Sequence, residues 1–305
     1  MHFIQKSAKI YDMKRLFFPI FVFLLLAGSA GLLGAFEIEV MGGMDGFTFQ
    51  PDKAWAYYDP DAENQFTPYN YWLANIAFRH NISEALNWSV NFERDKILKN
   101  SINALFGAKI DYFNVKFGPF LGFIDDFNVP DVGIIGSLEL NIPSIVSLSI
   151  SGSSTLGSQL EFTSSNFRET AGVKLGFWMG NAIPSFSANI KYFSRQVNEF
   201  LVIDDTLYRY LFNLELFAKN SNISGYINIG YQTYKKVYKK GSSESSDELS
   251  SGFVGVGVIW QINRPFCLKA GFEIPFLVTA VEPMTVEQEL LVFSKIYAGL
   301  VYTIK

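Results

Sequence analysis

ETAGVKLGFWMGNAIPSFSANIKYFSRQ, residues 169–196, carries the pattern on which the fold rests. In its first half Val173, Leu175, Phe177 and Met179 alternate with Gly172, Lys174, Gly176 and Trp178. A short break at 181–184 holds Pro184, and a second segment follows at 185–196. Successive side chains of a strand point to opposite faces, so the first segment has one apolar face and one polar or glycine-rich face. The break between the two segments reads as a tight reversal. The same period recurs along the chain. Leu86, Trp88, Val90 and Phe92 alternate with Asn87, Ser89, Asn91 and Glu93, and Tyr210, Phe212, Leu214 and Leu216 with Arg209, Leu211, Asn213 and Glu215. Ile296, Ala298, Leu300, Tyr302 and Ile304 alternate with Lys295, Tyr297, Gly299, Val301 and Thr303.

Extended to both sides, the pattern predicts strands at 36–49, 69–80, 86–93, 102–110, 115–124, 132–142, 145–152, 169–180, 185–196, 208–218, 223–234, 252–262, 266–276 and 290–304, about fourteen with a range of 12–16. Most run longer than the ~5–6 residues of an average soluble strand and match the ~9–11 that a tilted membrane-spanning strand needs. The connections alternate. Short ones fall at 81–85, 111–114, 143–144, 181–184, 219–222 and 263–265, and long ones at 50–68, 94–101, 125–131, 153–168, 197–207, 235–251 and 277–289. That rhythm fits short periplasmic turns and longer extracellular loops. Aromatic residues gather at strand ends (Tyr69, Tyr71, Trp72; Tyr112, Phe113; Tyr208, Tyr210; Tyr231, Tyr234), where amphipathic rings settle at a lipid–water interface. Pro143, Pro184 and Pro265 sit in short turns and Pro51, Pro60, Pro68, Pro130 and Pro283 in long loops. Pro119 falls inside a strand and implies either a bulge or a misplaced boundary.

Composition agrees. Of 305 residues, 49% are hydrophobic, 16% aromatic and 18% charged, which excludes disorder. After residue 35 no apolar run reaches the ~20 residues of a membrane helix. Backbone groups in lipid must pair within the protein, so strands can cross only as a closed barrel. The expected fold is all-β: a single transmembrane, antiparallel, up-and-down β-barrel with no second domain. A soluble β-sandwich is the competing fold.

Lys14 and Arg15, the apolar run Leu16–Ala27 and the small residues leading to Ala30 or Ala35 read as a signal peptide over 1–35, with Met13 a candidate natural start. The barrel then occupies 36–305. The expected location is a bacterial outer membrane, reached by export with cleavage of the leader. Expected partners are outer-membrane lipid, the barrel-assembly machinery during biogenesis, and small solutes. Cys267 is the single cysteine, which excludes an intramolecular disulfide and an N-terminal lipid anchor. The net charge of −4 gives no reason to expect nucleic acid.

If the apolar face meets lipid, the other face lines a lumen. It carries Lys109, Lys116, Lys174, Lys191, Arg195, Arg209, Lys269 and Lys295 against Glu37, Glu39, Glu93, Glu139, Glu215 and Glu273. A dry interior would make these charges costly, so a wet, modest pore is expected, lined by Lys174, Lys191, Arg195, Arg209, Glu215, Lys269, Glu273 and Lys295. Folding the hairpins places Lys174 roughly opposite Lys191 and Arg195 roughly opposite Arg209, a basic arc that would favour anions. The plainer alternative has these cations satisfied by Glu215, Glu273 and water.

Catalytic chemistry is sparse. The chain has only His2, in the leader, and His80, which shares the lipid-facing parity of Trp72, Ala74, Ile76 and Phe78, so no enzyme activity and no catalytic residue is expected. Nor is a cofactor or a metal site expected, since no Cys/His cluster exists. Asp59, Asp61 and Glu63, or Asp125 and Asp126, are weak calcium candidates better read as solvated loop carboxylates. Lys235, Lys236, Lys239 and Lys240 before Gly241–Ser251 read as a flexible outside loop, with an anionic surface polymer as the sharper partner.

FEIEVMGGMDGFTFQPDK, residues 36–53, resembles the opening of uncharacterised outer-membrane barrel proteins of spirochaetes, which implies surface location and solute transport and supplies no site residues. Leu300, Tyr302 and Ile304 resemble the C-terminal assembly signal of outer-membrane barrels, with Lys305 departing from its usual aromatic end. The strand count is similar to that of long-chain fatty-acid transporters and single-chain sugar porins. The former carry an N-terminal plug, whereas Phe36 enters the first strand directly, which favours an unplugged pore. The expected function is a narrow passive channel for small hydrophilic solutes. The alternatives are a structural or adhesive barrel acting through loops 50–68 and 235–251, and uptake of apolar compounds along inward Leu105, Phe120, Trp178, Phe193 and Phe217.

Overall fold

The computed structural model describes residues 35–45, 71–124, 130–156, 166–198, 200–218, 221–280 and 294–304. These form fourteen strands: β1 Phe36–Asp45, β2 Tyr71–Asn81, β3 Leu86–Asp95, β4 Lys99–Ile110, β5 Phe113–Phe123, β6 Asp131–Ile142, β7 Val146–Thr155, β8 Phe167–Phe177, β9 Ala182–Asn198, β10 Leu201–Phe217, β11 Ile223–Lys240, β12 Ser243–Gln261, β13 Phe266–Ala280 and β14 Lys295–Ile304. Each pairs antiparallel with its sequence neighbour, and β1 closes on β14 through Phe36↔Ile304 to Asp45↔Lys295. With no open edge, every strand has ladder partners on both sides, which is what a strand-built membrane protein requires. The even number sets Ala35 and Ile304 at one rim, beside the short turns.

The outward face is apolar. Phe106, Phe117, Phe186, Ile229 and Trp260 are all exposed, and in water so large an unbroken apolar surface would drive association. Lipid removes that penalty, so the barrel is transmembrane. At the short-turn rim five outward rings form a continuous belt: Phe36 stacks on Phe78 (5.9 Å), Phe78 meets Trp88 (5.1 Å), and Tyr302 lies between Phe36 (6.2 Å) and Phe266 (4.8 Å). His80 joins the belt edge-on to Trp88 at 6.0 Å. Tyr208, Tyr210 and Tyr231 stand exposed toward the opposite rim. Tyr234, expected beside them, instead turns inward and donates to Asp205 Oδ1 at 2.5 Å.

Three connections expected to be long are short. The segments 94–101, 197–207 and 235–251 are almost entirely strand: turns remain at 96–98 and 241–242, and β10 starts at Leu201, close after β9 ends at Asn198. The lysine-rich segment is thus the upper half of a hairpin, and its register shows why it folds. Lys235 is in register with Glu248 and Lys239 with Glu244, and Lys239 Nζ is ion-paired with Asp204 of β10 (2.7 Å), so opposite charges lie across both ladders. Gly241, at φ 58°, supplies the left-handed residue of a two-residue turn. Strands β9–β12 accordingly run 17–19 residues, well past the ~9–11 that span a bilayer, and raise one wall of the barrel above the others.

Pro119 lies within β5 without a bulge. Asn103↔Phe120 and Phe106↔Phe117 keep one register on either side, and the ladder to β4 simply lacks pairs at Gly118 and Pro119. Pro184, expected in a turn, is in β9 opposite Leu214 of β10. The β8 ladder ends at Gly176↔Ser185, so no β8 partner awaits its missing N–H. Trp178, expected inside a strand, falls just after β8, its N–H donating to the Ile145 carbonyl (3.1 Å). The leader up to residue 34, the expected loop 50–68 and the acidic calcium candidates Asp59, Asp61, Glu63, Asp125 and Asp126 lie outside the described residues.

Candidate functional site

Over the middle of the strands period-two alternation sends the polar residues into the lumen, and the interior they build differs from one end to the other. Toward the short-turn rim lies a vestibule of about 940 Å³ whose wall includes Asn87, Ser89, Asn114, Ser137, Ser149 and Ser151. It narrows to a second space of about 200 Å³, with Ile135 and Ser151 common to both walls. Leu98, Arg168 and Lys191 border this inner space.

The β3–β4 turn borders this inner space through Leu98. Asp95 Oδ1 accepts the N–H groups of Ile97 (2.7 Å) and Leu98 (2.6 Å), which fixes the turn locally, and Lys99 leaves it at φ 63°. Ile97 and Leu98 are buried against the fully buried ring of Phe193 on β9, with Leu207 of β10 and Tyr234 of β11 alongside. Strands β3 and β9 are on opposite sides of the ring. The turn therefore reaches across the lumen. From the far wall Lys191 Nζ donates to Glu93 Oε1 (3.1 Å) and Asp95 Oδ2 (2.5 Å). Beside the turn, Arg168 of β8 donates to Asp131 of β6, gives Nη1 to the Asn100 carbonyl of β4 (3.2 Å) and lies over the Phe193 ring (4.4 Å). A Cβ on Gly122 would strike the Arg168 guanidinium, so β5 passes this crossing only as glycine.

The eight residues expected to line a pore are placed as follows. Lys191 has the cross-lumen pair just described. Arg209 Nη2 donates to Glu273 Oε2 (2.7 Å) and covers the Phe253 ring (4.2 Å), while Asn228 donates to the other Glu273 oxygen (3.3 Å). Gly255, between them on β12, would bring a Cβ within 2.7 Å of Glu273 Cγ. Lys269 reaches Glu39 (3.0 Å), which Arg79 also binds (2.7 Å). Arg195 stands 3.9 Å from Asp205. Glu215 accepts from Ser224 (3.3 Å), and Lys295 lies opposite Glu273 in the β13–β14 ladder and 5.3 Å over the Tyr297 ring. Lys174 is exposed and has no carboxylate within 4 Å among the described residues. Replacing it by glutamine is expected to change unfolding free energy by less than about 0.5 kcal/mol, read from guanidinium titration in vesicles.

The basic arc does not form. Lys174 faces Ser187 while Lys191 faces Thr170, and Arg195 faces Ile203 while Arg209 faces Asn189, because both the β8–β9 and the β9–β10 strands pair with a different offset. Lys191, Arg195 and Arg209 each meet a carboxylate, so the wall carries little uncompensated charge. The expectation of an unplugged lumen also changes: no described segment precedes β1 inside the barrel, yet the β3–β4 turn occupies the interior. Nor do the apolar side chains make a path. Leu105 borders the vestibule, Phe120 the inner space, Phe193 is sealed in the turn's cluster, and Trp178 is at the short-turn rim.

Asp95, Ile97, Leu98, Arg168 and Asp131 are not legible as lumen residues in the sequence, because they fall in or beside segments that read as outside loops. One signal is present: Asp95-Lys96-Ile97-Leu98 puts two adjacent apolar residues after a turn-forming aspartate, which is unusual for a solvated loop. Among the described residues no group of three or more His, Cys, Asp or Glu side chains is placed to hold a metal.

No protein-family model matches the chain, and no curated protein matches its sequence. Solved structures do. The COG4313 outer membrane channel of Pseudomonas putida F1 aligns with a TM-score of 0.50 and 8% identity, covering 89% of this chain and 96% of that one. OmpT, an outer membrane protein of Vibrio cholerae, gives 0.42 and 10% over 89% and 97%. An anion-selective porin of Comamonas acidovorans gives 0.40 and 9% over 89% and 98%. At such identity the first of these likenesses speaks for fold alone: the chain shares its closed antiparallel β-barrel.

Proposed function

We propose that this barrel resides in a bacterial outer membrane, with its short turns periplasmic, and serves as a narrow channel for small hydrophilic solutes. The observation that carries the reading is the polar vestibule of about 940 Å³, open toward the short-turn rim and leading to the smaller space beneath the β3–β4 turn. A lumen meant only as structural filling would be packed with side chains over its whole length. The leader at 1–35 supplies export, and the apolar outer face and ring belt supply lipid anchorage.

The paired charges set the selectivity. Because Lys191, Arg209 and Lys269 each have a carboxylate within about 3 Å, an ion in the lumen meets dipoles more than net charge. Refolded protein in a planar bilayer is expected to give small unitary conductances, with a reversal potential near zero in a potassium chloride gradient. A strong anionic or cationic preference would contradict the neutralised wall. No current above lipid background, from protein shown to be folded and inserted and with the β3–β4 turn trimmed, would remove the channel.

A further inference from the structure

We propose that the β3–β4 turn is a gate across this channel and that Lys191 is its latch; the inference rests on the channel reading of the same lumen. Three features point to a movable element. First, the turn's shape is local. Asp95 Oδ1 holds the N–H groups of Ile97 and Leu98, and Lys99 Nζ bonds the Lys96 carbonyl at 2.8 Å, so the loop keeps its form wherever it is placed. Second, its base is anchored while its tip has no ladder pairing with the far wall. The Asn100 carbonyl accepts from Arg168, which also bonds Asp131, whereas Ile97 and Leu98 meet the opposite side through their side chains. Third, neither direct ladder neighbour of Lys191 is an acid, and Asp205, the next inward residue along β10, is taken by Arg195 and Tyr234. Its ladder neighbours are Thr170 and Leu207, and its ammonium crosses the lumen to satisfy Glu93 and Asp95 together.

The arrangement has two self-consistent states. Closed, one ammonium neutralises two carboxylates on the same face of β3, and Ile97 and Leu98 stay dry against Phe193. Open, Lys191 and both acids are hydrated by the lumen, and the turn swings toward its own wall about Lys99. Without the lysine, Glu93 and Asp95 repel each other across one residue spacing, and the closed state loses the ammonium that ties both to the far wall.

Four proteins test this in planar bilayers: the full chain, Lys191→Met, Lys191→Arg, and a chain with 96–98 replaced by Asn-Gly, a two-residue turn too short to cross. Retarded mobility on heating in detergent gels confirms that each is folded. A second readout uses Ile97→Cys combined with Cys267→Ser and measures labelling of the introduced thiol by a hydrophilic reagent. The expectation is an open probability about tenfold higher for Lys191→Met than for the full chain, with Lys191→Arg unchanged and the trimmed chain open throughout. The thiol at the turn's tip should label faster once Lys191 is gone. If the trimmed chain conducts while Lys191→Met neither conducts nor labels more than its parent, the turn is a fixed plug and the latch is wrong. If the full chain already conducts like the trimmed one, the turn is no barrier. If labelling rises but nothing conducts, the latch stands and the channel reading falls.

Discussion

Replacing Arg168 by methionine is expected to lower the unfolding free energy by about 3–5 kcal/mol, the usual cost of breaking a buried pair from one side. Arg168 and Asp131 are about 2% and 1% exposed at their side chains, so water cannot take over the lost bond. The methionine fills part of the volume over Phe193 but leaves the Asp131 carboxylate without its guanidinium and the Asn100 carbonyl without the Nη1 donor. Removing one side of a buried pair costs more than the pair contributed, because desolvation has already been incurred. Guanidinium unfolding in phospholipid vesicles, followed by tryptophan fluorescence, measures the change. Adding Asp131→Leu to Arg168→Met is expected to recover most of the loss. If the double variant is no better than the single one, the damage comes from packing and not from the stranded carboxylate.

Ile227→Arg is expected to cost about 2–4 kcal/mol, the range for a cation on the lipid face at the bilayer midplane. Ile227 sits on β11 midway between Ile223 and Tyr231 on the outward row, with Leu214 and Val256 opposite on β10 and β12. Each end of the row is four residues away, about 13 Å of strand, too far for a guanidinium to reach water without distorting the bilayer. The same substitution at Ile223, at the rim of the row, should cost about 0–1 kcal/mol. Equal costs at the two positions would place the membrane elsewhere on the barrel. The measurement is the same vesicle titration, so the pair maps the depth of the apolar band directly.

These two substitutions sit on opposite sides of what the sequence makes legible. Ile227 is lipid-facing on parity alone: once β11 is recognised, its neighbours Asn228 and Tyr226 must face inward, and no further information is needed. Arg168 is different. It falls at the end of a segment that reads as an outside loop, its partner is 37 residues away on β6 and its backbone acceptor 68 residues away on β4, so its burial depends on how the ring closes. Lys191 shows the same division. Its inward direction is readable, while the expected opposition to Lys174 fails because hairpin register depends on where the turn falls, and a shift of a few residues moves every pairing.

The strands, their two faces, the closed barrel and the side of the short turns are all written in the amino-acid sequence. They follow from period two, from strand length and from the rule that backbone in lipid must pair. Three further facts emerge only in three dimensions: 94–101 and 235–251 are hairpin rather than loop, Lys191, Arg195, Arg209 and Lys269 each meet a carboxylate, and the β3–β4 turn crosses the interior to Phe193 and Lys191. The physical reason is that each of those facts joins residues from different strands of a closed ring. Local alternation tells which way a side chain points; what it meets there is set by the closure and stagger of all fourteen strands.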